Sequence, residues 1–299
     1  MDYRKIITLA WQNTWKNRWM WLLGMAIISS SGSFYTRFPG AAIDGLDSSD
    51  ISGTQSEVLI ETLTNYWFLF VLLIVCLVLF IIVAYIFHYI AISGMQQGAA
   101  WAVQGQPVKF WAMCKVGTQH FWRVLFMSIL LRLLVIVPLM CLLVIIIVFA
   151  ITIIGLILAI PLAIALLMCS LPIAWASTVV YRFALQGIVF EQHGIWQSIK
   201  IAWARFQAFW SDTLVAYIVS IVWTIIISLV TFILVIIIAA PLAILAYFTY
   251  TTEAWLALGL IIGSGLILVG VISFIIKGIS QSFISHLWYG FYLAALAQR

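Results

Sequence analysis

Long apolar runs separated by short polar stretches organise this chain, and the runs are apolar on every face. "VLLIVCLVLFIIVAYIF" (71–87) shows neither the two-residue alternation of a strand nor a polar stripe. Lipid-facing barrel strands alternate over about ten residues, so these runs predict helices, which pair every backbone group internally. The pattern places membrane helices at 18–34, 65–93, 123–150, 152–181, 212–240 and 255–285.

The stretches between runs are amphipathic rather than simply polar, with apolar residues three and four apart on one face. In the first segment Ile6, Ile7, Ala10, Trp11, Trp15 and Trp19 form a stripe opposite Arg4, Lys5, Gln12, Asn13 and Lys16. In the second, Phe110, Met113, Cys114, Gly117 and Phe121 align against Lys109, Lys115, Thr118 and Gln119, with Pro107 expected in the first turn. In the third, Ile195, Ile199, Ala202, Trp203, Phe206 and Trp210 align against Gln197, Lys200 and Arg205. Trp rings beside basic residues suit the headgroup layer, so each segment is expected to be an elbow helix in the membrane interface. Its anchors are Trp11, Trp15, Trp19, Trp111, Trp122, Trp203 and Trp210.

Composition agrees. Of the 299 residues, 66% are hydrophobic and 8% charged, where a soluble domain carries about 25% charged residues. The net charge of +5 comes from scattered bases and is no nucleic-acid footprint. Those bases report topology instead. Arg4, Lys5, Lys16 and Arg18, then Lys109, Lys115 and Arg123, then Arg182, Lys200 and Arg205 fall on one side. Loop 35–64 has Arg37 against Asp44, Asp47, Asp50, Glu57 and Glu61, and the connections near 151 and 241–254 carry no base. The expected arrangement is a multi-pass plasma-membrane protein with both termini cytoplasmic and loop 35–64 outside. The N-terminal run lacks a small-residue cleavage site and is expected to remain as the first span.

A repeat underlies the spacing. "QGAAWAVQG" (97–105) and "QGIVFEQHG" (186–194) share Q-G-x6-G, and "QHFW" (119–122) matches "QAFW" (207–210) at nearly the same offset. Ala10-Trp11 corresponds to Ala202-Trp203, and Gly290 falls where Gly98 and Gly187 do. One integral membrane domain, 1–299, with units of about 1–93, 94–181 and 182–299 is expected. The fold class is an all-α bundle of about six membrane helices with interfacial elbows.

The stretch "SLPIAWASTVVYRFALQGIVFEQHGIWQSIKIAWARFQAFW" (170–210) resembles the bacterial family named after the glycerophosphoryl diester phosphodiesterase membrane domain. Glu191, Gly194, Ala202-Trp203 and Phe209-Trp210 occupy the family's acidic, glycine, small-Trp and Phe-Trp places. The resemblance implies a six-helix bundle and, without the catalytic domain, no settled activity. No segment outside the spans is long enough for that domain's barrel, and no catalytic residue is carried over.

Candidate chemistry is sparse. Arg132 lies about 15 Å into its span, with Asp212 and Glu191, both expected near the cytoplasmic interface, as the nearest acidic candidates. Lys277 either marks the end of the last span or sits deep within it; Phe283, Leu287, Trp288 and Phe291 beyond it form one apolar face. Arg132, Lys277, Arg182, Asp212 and Glu191 are the candidate lipid- or substrate-binding residues, since charges in spans are functional candidates by default. His88, His120, His193 and His286 have no metal spacing, and "DGLDSSD" (44–50) lacks the order of a calcium loop. Cys76, Cys114, Cys141 and Cys169 read as small apolar residues. No cofactor, metal, catalysis or nucleic acid is expected. The partners are membrane lipids and a protein partner or second copy, in a scaffold or accessory role. A transporter or channel for a small anionic or hydrophobic substrate is the alternative.

Overall fold

The computed structural model describes residues 2–30, 67–151, 153–251 and 255–297. Among them the ordered elements are helices: α1 (Tyr3–Lys16), α2 (Trp19–Ser30), α3 (Trp67–Val103), α4 (Phe110–Ala150), α5 (Ile153–Phe190), α6 (Ile195–Ala208), α7 (Trp210–Thr251) and α8 (Trp255–Ala297). Five of these, α3, α4, α5, α7 and α8, are long and apolar enough to cross a membrane. The protein is a multi-pass membrane protein built as an all-α bundle. Predicted loop 35–64, including 44–50, lies outside the described residues.

The long helices exceed the predicted spans, which changes how the molecule is divided. They hold 37 to 43 residues, about 55–65 Å at 1.5 Å per residue, roughly twice a hydrocarbon layer. α3, α4, α5 and α8 each have an exposed half and a packed half, whereas α7 buries only Thr213, Ala216 and Thr231. On α3, Trp67 to Phe87 is almost continuously exposed over roughly 30 Å, whereas His88, Tyr89, Ala91, Met95, Ala99 and Ala100 are buried. The main core is assembled at that end, from Met113 to Leu131 of α4, Val179 to Val189 of α5 and Phe283 to Tyr292 of α8, with Met20 and Leu23 of α2. Most bases of the amphipathic segments gather there too, so it is called the basic end below.

Two predicted boundaries move. The expected second elbow is not a separate helix: α3 continues to Val103, and the elbow residues open the unbroken α4. Between them Gly105 takes a left-handed φ of 73°. Gln106 N–H donates to Trp101 O at 2.8 Å and Gly105 N–H to Ala102 O at 3.2 Å; these two bonds close the helix end in a Schellman motif. Pro107 lies in this turn, before α4 rather than in its first turn. The last helix also runs on, and Phe283, Leu287, Trp288 and Phe291 are buried in the core. α2 is described over 12 residues, about 18 Å, and 31–34 of the predicted first span lie outside the described residues.

The other elbows are separate helices. Asp2 caps α1, its carboxylate accepting from Lys5 N–H at 3.2 Å. Trp21 Nε1–H donates to Thr14 O at 2.9 Å and fills one of the carbonyls left open where α1 ends. Close crossings use glycine. A Cβ on Gly24 of α2 would strike the Gly278 backbone of α8, and one on Gly278 would come 2.5 Å from Trp21 O. Small residues at such crossings let membrane helices pack backbone to backbone.

Candidate functional site

Among the described residues, most charged side chains lie at the basic end, and Arg132 lies at the seam where the packed half meets the exposed one. At the basic end, Glu191 closes α5. Its Oε1 accepts from Arg205 Nη2 of α6 at 2.5 Å and from Tyr292 OH of α8 at 2.6 Å. His193 Nε2 stands 3.1 Å from Oε2. Gln192, between the two, adopts φ 52° as the chain reverses. The Arg205 guanidinium also lies over the Tyr292 ring, 5.3 Å from its centroid. Burial opposes ionisation of Glu191, but the hydrogen bonds from Tyr292 and Arg205 and the charges of Arg205 and His193 prevail, holding the carboxyl below its ordinary value.

Arg205 is a correction. The helical pattern places it on the polar outer face of the third elbow, yet it is buried at 4% exposure. The outer face of α6 takes Trp203 instead, and all seven predicted Trp anchors, including Trp210 at the start of α7, are exposed. The inversion has a physical cause: the guanidinium finds a carboxylate and an aromatic face inside, while interfacial Trp rings are stable outside in lipid.

Asp212 pairs elsewhere, accepting a short hydrogen bond from Tyr3 OH, which joins the first turn of α7 to α1. That bond, together with burial and the Asp212 charge, raises the Tyr3 phenol above its ordinary value. Arg182 lies over the Trp288 ring at 5.3 Å. Trp288 is held by its indole N–H donating to Ser220 Oγ of α7 at 3.2 Å. Lys277 is half-buried beside Gly278, where α2 and α8 cross.

Arg132 is the seam residue. It is exposed, with Nη1 donating to Tyr85 OH of α3 at 3.2 Å. Tyr85 and Tyr89 hydroxyls are 3.3 Å apart, and Tyr89 OH donates to Ser128 Oγ at 3.3 Å. His88 Nδ1–H donates to Ile27 O at 2.6 Å. The structure therefore separates the five sequence candidates into distinct pairings and brings neither Glu191 nor Asp212 to Arg132. Sequence reasoning missed Tyr85, Tyr3 and Tyr292; only the Tyr85–Tyr89 spacing of four, one helical face, signalled such a group.

The other histidines make backbone bonds: His120 Nδ1–H to Val116 O at 3.0 Å and His286 Nδ1–H to Ser282 O at 2.8 Å. Among the described residues, no group of three or more His, Cys, Asp or Glu side chains could hold a metal ion. Two grooves are apolar. One, of about 400 Å³, is lined by Trp11, Trp223 and Phe283 among others; a second, of about 510 Å³, lies between α4 and α5. Comparison with family models, curated proteins and solved structures finds no match.

Proposed function

We propose that the chain is a membrane scaffold or accessory protein that organises lipid or a protein partner, without catalysis. The observation that carries this reading is the division of α3, α4, α5 and α8: packing is concentrated at the basic end, and the apolar halves are left exposed. A substrate pathway calls for polar groups converging inside the bundle and for interrupted helices. Here α4, α5 and α7 stay helical through Pro138, Pro161, Pro172 and Pro241, and Arg132 opens outward.

Three glycine contacts support the repeat as part of the proposal. A Cβ on Gly98 would meet Met113 of the second elbow, one on Gly187 would meet Ser198 of the third, and one on Gly290 would meet Ile6 of the first. The ends of α3 and α5 thus each rest on the elbow that follows in the chain, and the end of α8 returns to α1. The charge bias favours a cytoplasmic basic end in a plasma membrane. Kinship with the phosphodiesterase membrane-domain family, on residues 170–210, belongs to the same proposal.

The test combines two readouts on purified protein in liposomes and in native membranes. Flux of phosphate and small anions should equal that of protein-free liposomes. A photo-crosslinker at exposed Leu79 should give a discrete protein adduct or lipid adducts. Protein-dependent flux would replace the scaffold with the transporter.

A further inference from the structure

We propose that Arg132 and the groove beside it form a binding site for one anionic phospholipid, with the phosphate on the guanidinium and an acyl chain between α4 and α5. The inference deepens the scaffold reading and rests on it by naming what the seam binds.

The described carboxylates are all engaged away from Arg132: Asp2 caps α1, Asp212 accepts from Tyr3, and Glu191 holds Arg205, Tyr292 and His193. Arg132 offers five N–H donors in a planar fork suited to phosphate, and one of its nitrogens contacts Tyr85. The Tyr85, Tyr89 and Ser128 hydroxyls continue from it as a chain. Tyr181 of α5 is near enough to interact electrostatically with Arg132. A cation flanked by hydroxyls, with no carboxylate partner among the described residues, is free to take an external anion.

Position selects the kind of anion. Leu130, Leu133 and Leu134 beside Arg132 are exposed, while Ser128 and Leu131 are buried, so the guanidinium stands where the core ends and lipid begins. From there the groove runs along the helix. Arg132, Val135, Leu139 and Leu142 recur at helical spacing on one face of α4, and the last three line the 510 Å³ groove. Its α5 wall is formed by Leu162, Ala165, Leu166, Cys169 and Ile173. A phosphate at Arg132 leaves an acyl chain directed along this wall, whereas free phosphate would use the guanidinium alone.

The test is native mass spectrometry of the full chain reconstituted with equal phosphatidylglycerol and phosphatidylcholine. Wild type should retain one phosphatidylglycerol. Arg132→Gln should lower retention about tenfold or more, the scale of one lost charge-assisted hydrogen bond, and Arg132→Lys should restore part of it. Leu139→Trp, which fills the groove and keeps the charge, should also lower retention. Tyr85→Phe provides a second headgroup variant if Arg132→Gln aggregates. Equal retention in wild type and the headgroup variants overturns the site. Displacement by millimolar inorganic phosphate, with Leu139→Trp silent, overturns the lipid assignment in favour of free phosphate. Neither outcome alters flux or crosslinking at Leu79, so the scaffold reading fails or stands separately.

Discussion

Arg205 and Glu191, fourteen residues apart, form a 2.5 Å charge-assisted hydrogen bond across the turn between α5 and α6, and Tyr292 of α8 binds the same carboxylate oxygen. The pair is asymmetric. Arg205 is almost fully buried, with Nε and Nη1 lacking partners, whereas the Glu191 side chain keeps 21% of its exposure. Glu191→Ala should therefore destabilise more, by about 3–5 kcal/mol, because it strands a buried cation. Arg205→Met keeps the apolar stem and leaves a carboxylate that water can reach, so about 1–2 kcal/mol is expected after solvent screening. Denaturant unfolding in micelles should give that order; equal costs would refute the asymmetry.

The lowered pKa of Glu191 fixes the sign of a pH effect. A carboxyl whose folded value lies below its unfolded one contributes stability above the unfolded value, about 4.3 for Glu, and loses it as pH falls through the folded value. The melting-temperature gap between wild type and Glu191→Gln should narrow as pH falls below about 4.3. A gap that widens on acidification would contradict the geometry.

The α2–α8 crossing depends on two missing side chains. Gly278→Leu should cost about 3 kcal/mol or more, since the new Cβ meets backbone at Trp21 and cannot be relieved by a rotamer change. A side chain at Gly259 or Gly270 on the same helix would have its Cβ in open space. Alanine at either should be neutral or stabilising by up to about 1 kcal/mol. Thermal melts of the three variants in one detergent separate crossing from propensity.

At the α3–α4 turn the cost is purely conformational. Gly105 has φ 73° and open space around it, so Gly105→Ala should lose about 1–2 kcal/mol, with Gly105→Asn losing less because Asn tolerates this region. Unfolding midpoints of the two variants check the order.

Much of the architecture was legible in the hydropathy. Runs such as 71–87 allow only helices in lipid, and the buried positions Met113 and Gly117 on α4 and Ala202 on α6 lie on the faces expected for those elbows. Arg205 was not legible, because a lone base on an amphipathic helix reads as solvated until its partner is known. Tyr3 and Asp212 meet 209 positions apart, with no local pattern to announce it. Phe283 to Phe291 presented an apolar face whose covering, the core itself, only the packing reveals.

The sequence by itself determined that this protein is helical and crosses a membrane, because an uncharged apolar run in lipid must pair its backbone groups internally. Tertiary structure decided where along the long helices the packed core gives way to an exposed apolar half. Lipid tails and a packed core are equally apolar, so a uniformly apolar helix carries no mark of which surrounds it. It also decided that Glu191 meets Arg205 while Arg132 meets no carboxylate among the described residues, a matter of which helices the glycine crossings bring together.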